Sequence, residues 1–315
     1  MTLSTADQRI RSLRPPKPKV DPYQPHGYTV ESERRPGGSL EQTLTVFLAG
    51  AECPFTCAFC DLWRFTLDGP TPPGALTHQL RTVFQSTDVS AIDRLKLYNS
   101  SNFFDRRAVP EVDFRGIGAL SRGFTALTVE SHASMVGPSA LEFARAMDGR
   151  LEVAIGLETI HPLAAARLNK RLDLERFDWA AEFLRENDMD LRVFVLLGAP
   201  HVPAVESVEW TVRTVEHAIN RGASVVSVIP VRGGNGELER LQALGDFVPP
   251  TLTDLEDAVD RCADITAGVV TADLWDVDRL GTCEFCRVGR VERLRRRNLT
   301  GVRETRLHCG HCGTA

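Results

Sequence analysis

No stretch of the 315 residues is both long and apolar enough to cross a bilayer, and the first twenty residues lack the apolar segment that directs export. They carry Arg9, Arg11, Arg14, Lys17 and Lys19 among prolines instead. These absences point to a cytoplasmic chain with no membrane partner. In that reducing compartment, disulfides are a poor explanation for eight cysteines. No G-x-G-x-x-G follows the first strand-like run, which weighs against an open doubly wound dinucleotide fold. Positive charge is also in short supply: the formal net charge of −5 argues against a protein that coats nucleic acid with its whole surface. The charge is uneven, however. Between Gly281 and Ala315 eight Arg stand against three Glu, so the C-terminal end is basic.

What is present is the composition of an ordinary globular chain, 43% hydrophobic and 25% charged, long enough for one large domain and an appendage. Residues 1–40 read as an extended arm, because Pro15, Pro16, Pro18, Pro22, Pro25 and Pro36 interrupt any helix and Gly37-Gly38 closes the stretch. From there six apolar runs alternate with helical patterns: Leu44 to Leu48, Leu95 to Tyr98, Ala126 to Val129, Leu151 to Leu157, Leu191 to Leu197 and Val225 to Val231. The clearest amphipathic segment is Leu174 to Asn187, with Leu174, Phe177, Ala181 and Leu184 on one face. Repeated β-α units predict an α/β fold, a parallel sheet curled into a partial (β/α)6 barrel over residues 41–270. Residues 271–315 form a separate small module. In such a barrel the functional groups gather at the C-terminal ends of the strands.

Cys53, Cys57 and Cys60 fall within eight residues, directly after the first strand-like run. Zinc wants four ligands, and no further His or Cys falls within reach on this loop. Three thiolates on a four-iron, four-sulfur (4Fe-4S) cluster leave one iron open to another ligand, so the spacing predicts an iron-sulfur site at the barrel mouth. Other strand ends carry small polar or acidic groups. Asn99-Ser100-Ser101-Asn102 follows the second strand, Glu130-Ser131-His132 the third, Gly156-Leu157-Glu158-Thr159 ends the fourth and Gly198-Ala199-Pro200 the fifth. Such groups suit hydrogen bonds to an ammonium group or a ribose diol, and the small residues at Gly198 would let an adenine lie against the backbone. His132 and His161 are expected to be hydrogen-bonded loop histidines, while Lys170 and Arg171 could meet an anionic substrate.

The C-x-x-x-C-x-x-C spacing, with Phe59 before the last cysteine, resembles the radical S-adenosylmethionine (SAM) superfamily. The strand ends resemble its coproporphyrinogen-oxidase and elongator-like branch. The run Asn99 to Asp105, the Glu130-Ser131 pair, Gly156 to Thr159 and Asn169-Lys170 look most like the radical SAM partner of archaeosine synthase and its uncharacterised relatives. The resemblance implies that SAM chelates the open iron and that Asn99, Ser101, Glu130, Glu158 and Gly198 contact it. It also implies an external one-electron reductant and reductive cleavage of SAM to a 5'-deoxyadenosyl radical. That radical would abstract hydrogen from a nucleoside-type substrate, a 7-deazaguanine-like base in tRNA. The glycine-rich GGE sequence common after the second strand in that superfamily is absent here.

A second cysteine set, Cys283-x-x-Cys286 and Cys309-x-x-Cys312, gives four thiolates for zinc or for an auxiliary iron-sulfur cluster. Cys262 has no partner at ligand spacing and is expected to be a core thiol. The spacer between the two pairs has the length of a hairpin and carries Arg287, Arg290, Arg293, Arg295, Arg296, Arg297, Arg303 and Arg306. Arginine at every basic position is expected either on a solvated face or against the backbone of tRNA or another nucleic acid. Two alternatives stand beside the first reading. One is a radical SAM enzyme for a small molecule or peptide with an auxiliary cluster; the other is a non-catalytic zinc-module protein that binds nucleic acid.

Overall fold

Each of the six apolar runs lies on a strand, to within a residue at either end. The computed structural model describes residues 4–281 and 283–313. Its strands are β1 (Gly27–Arg34), β2 (Leu40–Phe47), β3 (Arg94–Tyr98), β4 (Ala126–Ser131), β5 (Arg150–Glu158), β6 (Asp190–Leu197), β7 (Ala223–Pro230) and β8 (Val269–Ala272). The helices are α1 (Thr5–Ser12), α2 (Ala75–Ser86), α3 (Glu111–Leu120), α4 (Pro138–Ala146), α5 (Pro162–Arg167), α6 (Leu174–Glu186), α7 (Ser207–Asn220), α8 (Glu237–Ala243), α9 (Leu252–Arg261) and α10 (Arg287–Thr300). The strands form one sheet in sequence order, with β1 antiparallel to β2 and every later neighbour parallel, curled into a half-barrel. No helix among the described residues is long and apolar enough to cross a membrane.

Strand alternation divides the sheet into two faces. Leu44, Val46, Leu95, Leu97, Leu127, Val129, Val153, Ile155, Val193, Val195, Val226 and Val228 point outward into the apolar layer beneath the helices. Helix α6 answers with Phe177, Ala180, Ala181 and Leu184, and starts on Asp173, whose carboxylate accepts the Arg176 N–H. Burying each large aliphatic side chain stabilises the fold by about 1.5–3 kcal/mol relative to leaving it exposed.

The other face is concave, and its end remote from the cysteine loop is closed by charge. The Glu152 carboxylate is fully buried and bonds Arg35 (2.8 Å), Arg192 (2.9 Å) and Thr128 (2.7 Å), with Arg94 at 3.8 Å. Burial alone would raise its pKa, but Arg192, Arg35 and Arg94 outweigh this and hold it well below the usual carboxylate range. Arg192 and Lys96 also reach Glu33 on β1, at 2.7 and 3.0 Å.

The N-terminal arm holds more regular structure than its prolines suggest. Ser4 and Asp7 form a capping box that starts α1, and β1 joins the sheet as an edge strand. Strand β8 is likewise added at the opposite edge. The spacer expected as a hairpin is helical: α10 is capped by Cys286 before its start and by Gly301 after its end, where φ of 73° is left-handed and the N–H bonds Arg297 O. Its buried face mixes Arg290, Arg293 and Arg297 with Val291 and Leu294, so apolar residues alone mark it weakly. Arg290 and Arg293 pair with Glu256 and Asp260 of α9, and Arg306 with Asp257 and Asp260. Helix α10 packs against both β1 and β8, the two edges of the sheet, and Asn298 bonds both N–H and C=O of Ala272 (2.9 and 2.8 Å) as a substitute neighbour for β8.

Replacing Glu152 by Ala leaves buried arginines without a counter-charge and is expected to cost about 3–5 kcal/mol in urea unfolding. Because its folded pKa is depressed, the wild-type stabilisation should be present at neutral pH and lost as pH falls below the ordinary carboxylate range. A Glu152→Ala variant with unchanged unfolding midpoint at neutral pH would contradict this.

Candidate functional site

The loop carrying Cys53, Cys57 and Cys60 runs from β2 to a short helical turn at Leu62–Phe65 and has no regular structure of its own, so its shape depends on what binds its backbone. The Ala58 N–H donates to Leu168 O (2.9 Å), Asn235 Nδ2 donates to Ala58 O (2.8 Å) and Asn169 Nδ2 donates to Thr56 O (2.8 Å). From the next strand end, Asn102 donates to Cys53 Sγ (3.3 Å) while its Oδ1 accepts the His132 N–H (2.6 Å). Phe55 stacks on the His132 ring at 4.1 Å.

Burial pushes all three thiols up, Cys57 to about 12. As free thiols they hold their protons, and a bound metal must displace them. Lys170 lies against the same loop, bonded to Glu158 Oε1 at 2.8 Å and 5.9 Å from the Phe59 ring. Burial opposes its charge, but Glu158 and Cys57 outweigh this and raise its pKa. Glu158 reaches that position through a β-bulge with φ of +67°, its carboxylate folded back over Gly156. A Cβ at residue 156 would lie 2.1 Å from Glu158 Oε1, so a larger residue there would displace the Glu158 carboxylate from this position.

On the neighbouring strand β4, Glu130 accepts the Ser100 N–H at 2.6 Å. Burial pushes its carboxyl up to about 7, against the lowering effect of the Ser100, Asn99 and Ser101 amides. Asn99 is fully buried, yet neither its Nδ2 nor its Oδ1 has a partner, and Ser101 Oγ is unpartnered as well. Unmet polar atoms at the concave end of a barrel fit a polar ligand. Three soft thiolates on the adjacent loop fit an iron-sulfur cluster. Deeper in the concavity, half-buried Phe47, Tyr98 and Phe194 line the sheet, with Tyr98 6.3 Å from Phe47 and 6.1 Å from Phe194, and exposed Trp275 5.8 Å from Phe47.

No family model and no curated protein matches the chain. Solved structures do. Streptococcus suis SuiB bound to precursor peptide SuiA is similar with a TM-score of 0.52 at 14% identity, over 75% of this chain and 52% of that one. The archaeal Methanocaldococcus infernus Elp3 with an N-terminal deletion has a TM-score of 0.50 at 14% identity, over 62% of this chain and 51% of that one. Methylornithine synthase PylB gives 0.50 at 12% identity, over 70% and 62%. All three are radical SAM enzymes. This chain has the radical SAM barrel fold. It spans between 51% and 62% of the length of these three chains.

On that fold, the groups expected at the mouth sort into those brought together and those not. Cys53, Cys57, Glu130 and Glu158 all lie within electrostatic influence of Lys170, which bonds Glu158 directly. Gly198 stands elsewhere in character: its N–H donates to Ser207 Oγ (2.9 Å) and a Cβ there would meet Pro250 at 2.8 Å, so Pro250 accounts for its small size. Lys170 and Arg171, expected toward an anionic substrate, are each neutralised within the chain, by Glu158 and Asp7. His132 accepts the Ser134 N–H and contacts Lys170 O at 3.1 Å; burial first, and then Lys170, lower its pKa to about 3. His161 accepts the Ala164 N–H as the cap of α5.

Sequence reasoning missed the groups that immobilise the loop, above all Asp7. This buried carboxylate on α1 accepts from Thr56 Oγ1, from Asn169 Nδ2 (3.0 Å) and from Arg171. Burial alone would raise its pKa, but the bonds from Thr56, Asn169 and Ser4 hold it below the usual carboxylate range. Arg9 adds a bond to Glu237 (3.1 Å) and Arg14 one to Glu52 (2.7 Å). The arm thereby covers the cysteine loop. Only the Ser4 to Asp7 capping pattern could have located α1, and nothing in it names Thr56 as the partner.

Asp7→Ala is expected to cost about 1–3 kcal/mol in urea unfolding, and reconstituted iron should leave the Cys53 loop several-fold faster in air. Arg11, half-exposed and 3.8 Å from Glu52, serves as the control: Arg11→Ala should change neither quantity.

Proposed function

We propose that this chain is a cytoplasmic radical SAM enzyme that acts on a nucleoside-type substrate, a 7-deazaguanine-like base in tRNA. The observation that carries the reading is the pairing of the three-thiol loop with the unpartnered Asn99 and Ser101 side chains at the same end of the half-barrel. Cys53, Cys57 and Cys60 would hold a 4Fe-4S cluster, and Asn99, Ser101, Glu130 and Glu158 would bind the amino-acid and ribose parts of SAM. When bound, the cluster and SAM together supply a 5'-deoxyadenosyl radical on arrival of one electron from an external reductant.

The chain's own residues bind, orient and exclude water. Asn99 can both donate to a carboxylate and accept from an ammonium. Glu130, with its carboxyl near neutrality, can accept from an ammonium or a ribose hydroxyl. Lys170 keeps Glu158 paired and folded over Gly156, so that this carboxylate faces the loop in one position. Half-buried Phe47, Tyr98 and Phe194 offer flat apolar surface for a ring, which supports a base over an aliphatic substrate. The tRNA backbone would meet the arginines of the C-terminal segment that remain exposed, Arg295 and Arg303 among them.

The test is anaerobic incubation with SAM and a low-potential reductant, scoring 5'-deoxyadenosine with and without total tRNA. Release is expected, raised several-fold by tRNA. Cys53→Ala, Cys57→Ala and Cys60→Ala should each abolish both iron-sulfur absorbance and release, and retention of both in any of them would sink the radical SAM reading. Release that tRNA does not stimulate would instead overturn the tRNA substrate in favour of a small molecule or peptide.

A further inference from the structure

The second cysteine set has a geometry that the spacing of the sequence could not supply. Cys283 Sγ lies 3.8 Å from Cys309 Sγ, and Cys286 Sγ lies 3.8 Å from Cys312 Sγ. All four sulfurs fall within 4.8 Å of one another. Disulfides are excluded in this arrangement, since bonded sulfurs lie about 2.0 Å apart. Four thiolates sharing one tetrahedral ion at about 2.3 Å stand at the corners of a tetrahedron with edges of about 3.8 Å. A cubane cluster gives each thiolate its own iron at a separate corner, which spreads the sulfurs further apart than ligands of a single ion.

The surroundings fit a closed ion site. Cys286 is the first residue of the cap of α10, so its sulfur and that of Cys283 sit at the positive end of a 14-residue helix. Arg290, one turn along, contacts Cys286 and is anchored by Glu256 at 2.6 Å, which holds a hydrogen-bond donor beside the sulfurs. In the second pair, Gly313 turns back with φ of +66° and donates its N–H to Cys309 O at 3.0 Å, closing the knuckle. The two knuckles also meet through their rings, Phe285 on His311 at 3.7 Å and 7° between planes.

We propose that Cys283, Cys286, Cys309 and Cys312 bind one structural zinc ion, not an auxiliary iron-sulfur cluster, and that this ion pins α10 across the open side of the half-barrel. The mechanical argument follows from where α10 lies. It is the helix that packs on both free edges of the sheet, β1 and β8, and Arg297 and Asn298 near its far end bond the backbone of Val270 and Ala272. The chain after Gly301 returns along α9, where Arg306 pairs with Asp260 at 2.9 Å, to bring Cys309 and Cys312 beside the start of α10. One ion therefore joins the beginning of the helix to the end of the segment that follows it. The proposal is independent of the radical SAM reading, because it concerns neither the Cys53 loop nor the barrel mouth.

Metal analysis of the full chain, purified without air and reconstituted with iron and sulfide, is expected to find about one zinc per chain beside about four irons. Zinc should be lost from a Cys309→Ser/Cys312→Ser variant while the iron remains. Hydrogen exchange should then show amides of α10 losing protection, with β3 to β6 unchanged. Should that variant fail to fold, the wild-type protein serves: a thiol-blocking mercurial in the presence of a zinc-indicator dye should release about one zinc per chain and loosen α10 alone. Either about eight irons without zinc, or zinc retained after loss of Cys309 and Cys312, would overturn the assignment. Release of zinc with α10 protection unchanged would overturn the pinning role.

Discussion

A carboxylate taken out of water must be met by positive charge and hydrogen bonds, and Glu152 meets this requirement by drawing on most of the sheet. Arg35 from the end of β1, Arg94 from β3, Thr128 from β4, Arg192 from β6 and Ser224 from β7 all converge on its two oxygens. The curl of the sheet brings these side chains to one point, and their mutual satisfaction closes the end remote from the cysteine loop. With that end sealed, the concavity opens only where the loops after the strands stand. The carboxylates there, Glu130 and Glu158, are met differently, by backbone amides and by one lysine.

The two cysteine-bearing segments follow opposite physical logics. The Cys53 loop owes its shape to neighbours: Asn102, Asn169 and Asn235 bind it from three other loops, and α1 lies over it through Asp7. A cluster with one iron left open for a second ligand needs such outside support, because its own ligands do not enclose it. The C-terminal quartet closes upon itself, with four thiols at mutual contact and a turn at Gly313. The first arrangement suits reactivity and the second suits mechanical connection.

Helix α10 shows how an apparently functional pattern can be structural. Its arginines look like a nucleic-acid footprint in the sequence, yet Arg290, Arg293 and Arg297 are buried against the acids and carbonyls of α9 and β8. Charged residues on a buried face are invisible to apolar periodicity: α9 buries Leu252, Leu255, Ala258 and Val259 beside its acids, whereas α10 buries only Val291 and Leu294 beside its three arginines. The same blindness hid β1, where Tyr28 and Val30 are exposed and Glu33 and Arg35 turn toward the barrel interior.

The sequence by itself determined the six central strands, because fully buried strands must be apolar runs bounded by turns. It also placed three cysteines at short spacing on the loop after β2, and it located the acidic and polar groups at the strand ends. Only the tertiary structure decided which of those groups face one another: Glu158 with Lys170, Asn102 with Cys53, Asp7 with Thr56, residues 12 to 49 positions apart in the chain. Only it decided that α10 spans the edges of the sheet and that the four C-terminal sulfurs stand at the spacing of a single ion. The division has a physical cause. Burial and ligand chemistry restrict residue type locally and so leave a mark in sequence, whereas the pairing of polar groups across the fold depends on strand register and curl, which no short stretch of the chain encodes.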